Sequence, residues 1–166
     1  VVTAAIILAE AAVLYDGLTA VQTQSYGAAA RGGATRADVI ISEAPINYPM
    51  VVQPNVLVCL TQEAYHKYAP IIRPGGLLIS DSRYVNTERR VDAIQKQLPL
   101  YDTVMQQLGT PLAFNICMLG AVLGFTHLVT LPSVQKVLTA RVPQRFLEMN
   151  AKALDLGLAL VRNPGA

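Results

Sequence analysis

The sequence predicts an α/β fold, a three-layer α/β/α Rossmann-like sheet with a helical C-terminal part, and three observations carry that reading. Apolar runs of strand length alternate with helically spaced segments through the first half of the chain. Several of those runs are continuously apolar, as in strands covered on both faces. Beyond residue 85 the spacing turns helical and stays so. At 166 residues, the chain fits one domain, residues 1–166, with a real core and no room for a second.

The opening run Val1-Val2-Thr3-Ala4-Ala5-Ile6-Ile7-Leu8-Ala9 has no basic region and no small-residue cleavage site, so it is no signal peptide as written. It reads as helix interior, with Ile6, Ala9, Val13 and Leu14 at helical spacing and Asp16-Gly17 as the stop. In an α/β protein a strand and a turn are expected ahead of such a helix. Strands follow at 18–23 and 37–42, then at 55–60. Thr61-Gln62-Glu63-Ala64 resembles a helix start, and Pro70 and Pro74 end that short helix. Gly75-Gly76 leads into the buried strand Leu77-Leu78-Ile79-Ser80, with Asp81-Ser82 at its end. The second half predicts helices over Glu88–Leu98, Asp102–Leu108 and Leu112–Gly124, the last introduced by Thr110-Pro111. Ser133 is the expected N-cap for Val134–Ala140. Pro143 opens a final helix carrying Phe146, Leu147, Asn150, Leu154 and Leu158 at helical spacing.

Ser25-Tyr26-Gly27-Ala28-Ala29-Ala30-Arg31-Gly32-Gly33 sits between two predicted strands and joins a glycine-bearing turn to a fixed cation. Gly32-Gly33 permits close approach of another group, and the planar fork of Arg31 suits a carboxylate or phosphate. Glycine pairs are also ordinary turn punctuation. Ser25, Tyr26, Gly27, Arg31, Gly32 and Gly33 are the candidate site residues, and no residue is marked as catalytic.

Composition narrows the function. Hydrophobic residues make up 52% and charged residues 14%, too little charge to cover a monomer of this size, so partners are expected to bury part of the surface. Net charge is +2, with scattered Lys and Arg and no nucleic-acid footprint. The apolar runs fall short of the ~20 residues a membrane span needs. Cys59 and Cys117 lie in apolar surroundings without CxxC spacing, which suggests buried free thiols in a reducing cytoplasm and no metal site on this chain. His66 and His127 lack neighbours at metal-ligand spacing and read as structural or surface residues. Asp81 ends a strand, where an aspartate forms turns or meets a ribose or metal.

Arg73-Pro74-Gly75-Gly76 before a strand also occurs in methyltransferases that use S-adenosylmethionine, but no acid follows the strand at 18–23, where Gln24-Ser25-Tyr26 stands. A broader resemblance covers nearly the whole chain. Thr23-Gln24-Ser25-Tyr26-Gly27 with Arg31-Gly32-Gly33 and Val39-Ile40-Ile41-Ser42 comes first. Arg73-Pro74-Gly75-Gly76, then Asn115 to Ala121, then Phe146-Leu147-Glu148-Met149-Asn150 with Ala153 and Gly157, follow in order. Together they resemble the gamma subunit or gamma domain of the 2-oxoacid:ferredoxin oxidoreductases, the pyruvate, 2-oxoglutarate and 2-ketoisovalerate enzymes. Two departures stand out: Ala28-Ala29-Ala30 replaces a stretch that often holds a proline and an acid, and the family's glycine- and glutamine-rich turn before the first helix is not in the sequence.

The resemblance implies oxidative decarboxylation of a 2-oxoacid with coenzyme A to acyl-coenzyme A and carbon dioxide, electrons leaving through iron–sulfur clusters to ferredoxin. It implies that thiamine diphosphate and the clusters belong to the alpha, beta and, in some members, delta components, and that this chain binds no cofactor alone. Its share would be coenzyme A access, support of the active site and assembly, in the cytoplasm, with a homodimer expected in isolation. The competing readings are a stand-alone Rossmann-like ligand-binding protein or methyltransferase, and a pure interaction scaffold.

Overall fold

In a computed structural model that describes residues 1–25 and 35–163, the elements run α1 (Val2–Leu14), β1 (Thr19–Ser25), β2 (Arg36–Ser42), β3 (Val56–Cys59), α2 (Gln62–Tyr68), β4 (Gly76–Asp81), β5 (Ala93–Leu98), α3 (Leu100–Leu108), α4 (Phe114–Thr126), α5 (Leu131–Arg141) and α6 (Gln144–Arg162). The α/β class holds, but the described strands form two sheets. β1 and β2 make an antiparallel hairpin with Thr19 opposite Ser42 and Ser25 opposite Arg36, while β3, β4 and β5 are parallel with β4 central.

β4 shows why its run is continuously apolar. Leu78 packs with Cys59, Tyr65, Ala69, Ile72 and Val85 on the α2 side, whereas Ile79 joins the large core built on α1, α3, α4, α5 and α6. Helices therefore cover both faces, and neither face tolerates polar alternation. Hairpin residues Ala20, Val39 and Ile41 pack against that same large core, so one core carries both sheets.

The turn into β4 explains Arg73-Pro74-Gly75-Gly76 without a ligand. Gly75 has φ +72, a conformation that favours glycine, and a Cβ on Gly76 would lie 2.8 Å from the Arg73 carbonyl and 2.9 Å from that of Asn55.

Three predicted boundaries change. The helix expected over Glu88–Leu98 is a turn followed by β5: Val91, Ala93 and Gln95 are half-buried while Asp92, Ile94 and Lys96 are exposed, the period-2 pattern of a strand. Pro111–Ala113 forms a separate short helical turn, with the Thr110 hydroxyl accepting from the Leu112 N–H, before α4 begins. Ser133 lies inside α5, not at its start. Thr130 precedes the helix and Pro132 occupies the first turn, where a missing N–H does no harm. The Ser133 hydroxyl instead donates to Asp16, which also accepts the Thr130 N–H at 2.7 Å and its hydroxyl at 2.9 Å. A carboxylate from the turn after α1 thus caps the start of α5.

α4 is buried from Ile116 through Leu123, so it is apolar all round, and α6 lies against it at near-backbone contact. A Cβ on Gly120 would run into the Leu154 carbonyl, and one on Gly157 into the Cys117 carbonyl. Gly124 packs on Val161. Replacing Gly157 with alanine should therefore lower stability by about 1–3 kcal/mol or more, the usual penalty of overpacking, measured by thermal denaturation; an unchanged Tm would contradict the seam.

α1 and α5 are joined by Glu10, whose two carboxylate oxygens both accept from the Arg141 guanidinium. That hydrogen bond holds the Glu10 carboxyl below its ordinary value of 4.5. A depressed carboxylate contributes stability that is complete above its unfolded pKa and is lost as pH falls through the folded one. Stability of Glu10→Gln should consequently fall less between neutral and acid pH than that of the unaltered chain, in denaturant melts taken from neutral pH to about two units below the ordinary carboxylate range.

Candidate functional site

Ser25 and Arg36 face each other at the mouth of the β1–β2 hairpin. Ser25 ends β1, exposed, directly across from Arg36. Tyr26, Gly27, Arg31, Gly32 and Gly33 lie outside the described residues.

What the structure adds is the anchor beneath that mouth. Arg36 and Asp38 are two residues apart in β2 and share a face. Nε of Arg36 donates to both Asp38 carboxylate oxygens, at 2.8 and 2.9 Å, and Nη2 donates to the Val51 carbonyl at 3.0 Å. The guanidinium carbon stands 5.3 Å from the Tyr68 ring centroid at the end of α2, and Lys67 Nζ is 5.3 Å from the same ring, both within cation–π range. The Arg36 side chain is 26% exposed, and Asp38 holds its pKa above the ordinary arginine value. One partly buried cation thus ties the hairpin end to the connecting stretch 43–55 and to α2. On that stretch Tyr48, Met50 and Val52 stand 64, 62 and 66% exposed.

The carboxyl end of the parallel sheet holds a second polar cluster. Asp81 is fully buried, one oxygen accepting the Arg83 N–H and the other the Tyr101 N–H, both at 2.8 Å. Its two oxygens secure the turn after β4 and the start of α3, the role of a turn former. Arg83 pairs with Asp102 at 2.6 Å and lies over the rings of Tyr84 and Tyr101, which continue edge-to-face into Phe114.

Both histidines lie on the surface. His66 is exposed, with Nε2 2.9 Å from the Gln62 amide and 3.7 Å from the Glu88 carboxylate. His127 ends α4 at φ +50. Cys59 and Cys117 are free and buried, and burial pushes both thiols up to about 12. Among the described residues no group of three or more His, Cys, Asp or Glu side chains converges as metal ligands, and no helix is long and apolar enough to cross a membrane. The described surface offers anchored backbone, paired cations and exposed apolar side chains, which is the equipment for contact with another molecule.

Arg36 and the Tyr48, Met50 and Val52 row are not among the residues the sequence marks, although their signals are present in it. Arg36 and Asp38 show same-face strand spacing. The three apolar residues alternate around Pro49, and no charged residue occurs from Ala44 to Gln62.

Residues 1–160 match the family described as pyruvate ferredoxin/flavodoxin oxidoreductase. The chain is 39% identical over 164 residues to the 2-oxoglutarate synthase subunit KorC of Methanocaldococcus jannaschii, covering 98% of this chain and 88% of that one. The crystal structure of the gamma subunit of a keto/oxoacid ferredoxin oxidoreductase from Geobacter sulfurreducens superposes with a TM-score of 0.86 at 37% identity, over 97% of this chain and 90% of that one. The 2-oxoglutarate:ferredoxin oxidoreductase of Magnetococcus marinus, with 2-oxoglutarate, coenzyme A and succinyl-CoA bound, shares the fold at a TM-score of 0.82 and 20% identity. There the match spans 96% of this chain but 28% of the longer one.

Thiols this buried stay protonated at neutral pH and are shielded from reagents. In the native protein Cys59 and Cys117 should resist an aromatic disulfide reagent at pH 8 and should both react once denaturant is added; rapid native labelling of either would contradict its placement.

Proposed function

The chain belongs to the pyruvate ferredoxin/flavodoxin oxidoreductase family and is homologous to gamma subunits of 2-oxoacid:ferredoxin oxidoreductases, and we propose that it serves as the gamma component of such a complex, 2-oxoglutarate being the favoured substrate. The observation that carries this is the near full-length match to a separate subunit at 39% identity. That match favours the component over the stand-alone ligand-binding protein or methyltransferase.

In this reading the chain is a single gamma-type unit in the cytoplasm, alongside alpha and beta components and a ferredoxin. Thiamine diphosphate supplies carbanion stabilisation and the clusters supply electron transfer, and both belong to other components. The donor set of the described residues does not suit a cluster. Ser25, Tyr26, Gly27, Arg31, Gly32 and Gly33 face the active-site entrance, and Arg31 meets either a coenzyme A phosphate or a carboxylate of a partner subunit. Support comes from the anchored base of the β1–β2 hairpin at Arg36 and from the fold shared with the Magnetococcus marinus enzyme, whose structure has coenzyme A bound.

Affinity purification of the tagged chain from anaerobic native extract should bring down thiamine- and cluster-bearing subunits and a dye-reducing activity that needs both coenzyme A and a 2-oxoacid. In that complex Arg31→Ala should cost about 1–3 kcal/mol in coenzyme A binding or in assembly if its ion pair is desolvated. Unchanged coenzyme A kinetics together with unchanged assembly would reject the site assignment.

A further inference from the structure

Tyr48, Met50 and Val52 stand at alternate positions of an irregular stretch, each more than 60% exposed. The stretch forms no regular element and bends at Val52, so the three side chains are neighbours through their closeness in sequence, and Pro49 stiffens the row from within. Two contacts fix it from below: the Val51 carbonyl accepts from Arg36, and the Arg73 N–H donates to the Pro54 carbonyl at 3.0 Å. No charged side chain occurs from Ala44 to Gln62. An exposed row of one aromatic residue, one methionine and one valine, pinned in place and free of charge, has the composition of an interface centre.

The occupant follows from a difference between relatives. In the Magnetococcus marinus enzyme this fold makes up 28% of a longer chain, so the remaining protein is tied to it covalently. In the separate subunits the fold is nearly the whole chain, 88 to 90% of it, and the same association has to be held by surface contacts. We propose that the Tyr48, Met50 and Val52 row is the docking surface for the component corresponding to the remainder of the longer chain, through an apolar, charge-poor face of that component, and that Arg36 is the positioning residue that holds the row in its binding geometry. An acidic or basic face in that place would leave a charge without a partner. The inference rests on the gamma-component reading above.

The test is assembly of the complex from co-expressed subunits, read by size exclusion and by binding titration of the isolated components. Changing Tyr48, Met50 and Val52 together to serine should weaken assembly roughly a hundredfold or more, with circular dichroism and Tm unaltered because the three are exposed. Leu112→Ser, at a position 68% exposed in another part of the surface, should assemble normally. Arg36→Ala should weaken assembly roughly tenfold by releasing a preorganised surface, and Arg36→Lys, which keeps the charge but loses the fork, should recover only part of it. Should the triple variant misfold, Met50→Glu alone gives the same reading. Normal assembly of a folded row variant overturns the proposal. So does a row variant that splits a homodimer of the isolated chain yet still joins the complex, since a second copy would then be the occupant. Failure of the unaltered chain to assemble at all would instead reject the component reading itself.

Discussion

The approach of α6 to α4 is the contact on which the rest of the fold depends. Gly120 and Gly157 remove the Cβ atoms that would collide with the Leu154 and Cys117 carbonyls, and two helices of 13 and 19 residues close to backbone distance. Dispersion forces fall steeply with separation, so this closeness makes an all-apolar α4 sufficient as the centre of a core. α1 and the strands pack onto the layer so formed. The residues from Asn115 to Ala121 and from Phe146 to Gly157 that resemble the family thus earn their likeness through packing, with Asn150 donating to the Phe146 carbonyl inside α6.

That core carries the hairpin through Ala20, Val39 and Ile41. Its strands are half-buried along β2, and its far end is tied down by one arginine serving a carboxylate, a carbonyl and an aromatic ring at once. Partly desolvated, with its hydrogen bonds directed, such a cation is worth more than an exposed pair. The arrangement gives a rigid stem for a glycine-rich loop, which suits a component that presents backbone and a few side chains to chemistry performed on other chains.

Much of this was legible in the sequence for definite reasons. β4 announced itself because burial on both faces demands an unbroken apolar run, and α6 because its apolar residues keep helical spacing to Leu158. β5 was not, since Gln95, Lys96 and Gln97 mask its alternation: the Tyr65 hydroxyl bonds Gln95 and the Val85 carbonyl accepts from Gln97, contacts about 30 and 12 residues away that local spacing does not contain. The true start of α5 depended on Asp16, 114 residues earlier. At the site, the sequence marks the loop through its glycines and Arg31, while Arg36 escaped notice because its contacts are to Val51 and Tyr68, which only folding brings beside it.

The central claim is that this chain completes an enzyme whose chemistry resides elsewhere. It is tested most directly by measuring 2-oxoacid- and coenzyme A-dependent dye reduction by the purified remaining subunits, before and after this chain is added back. The account predicts little turnover without the chain, none from the chain alone, and recovery saturating at one chain per catalytic unit. Full activity of the remaining subunits in its absence, with no change on addition, would contradict it.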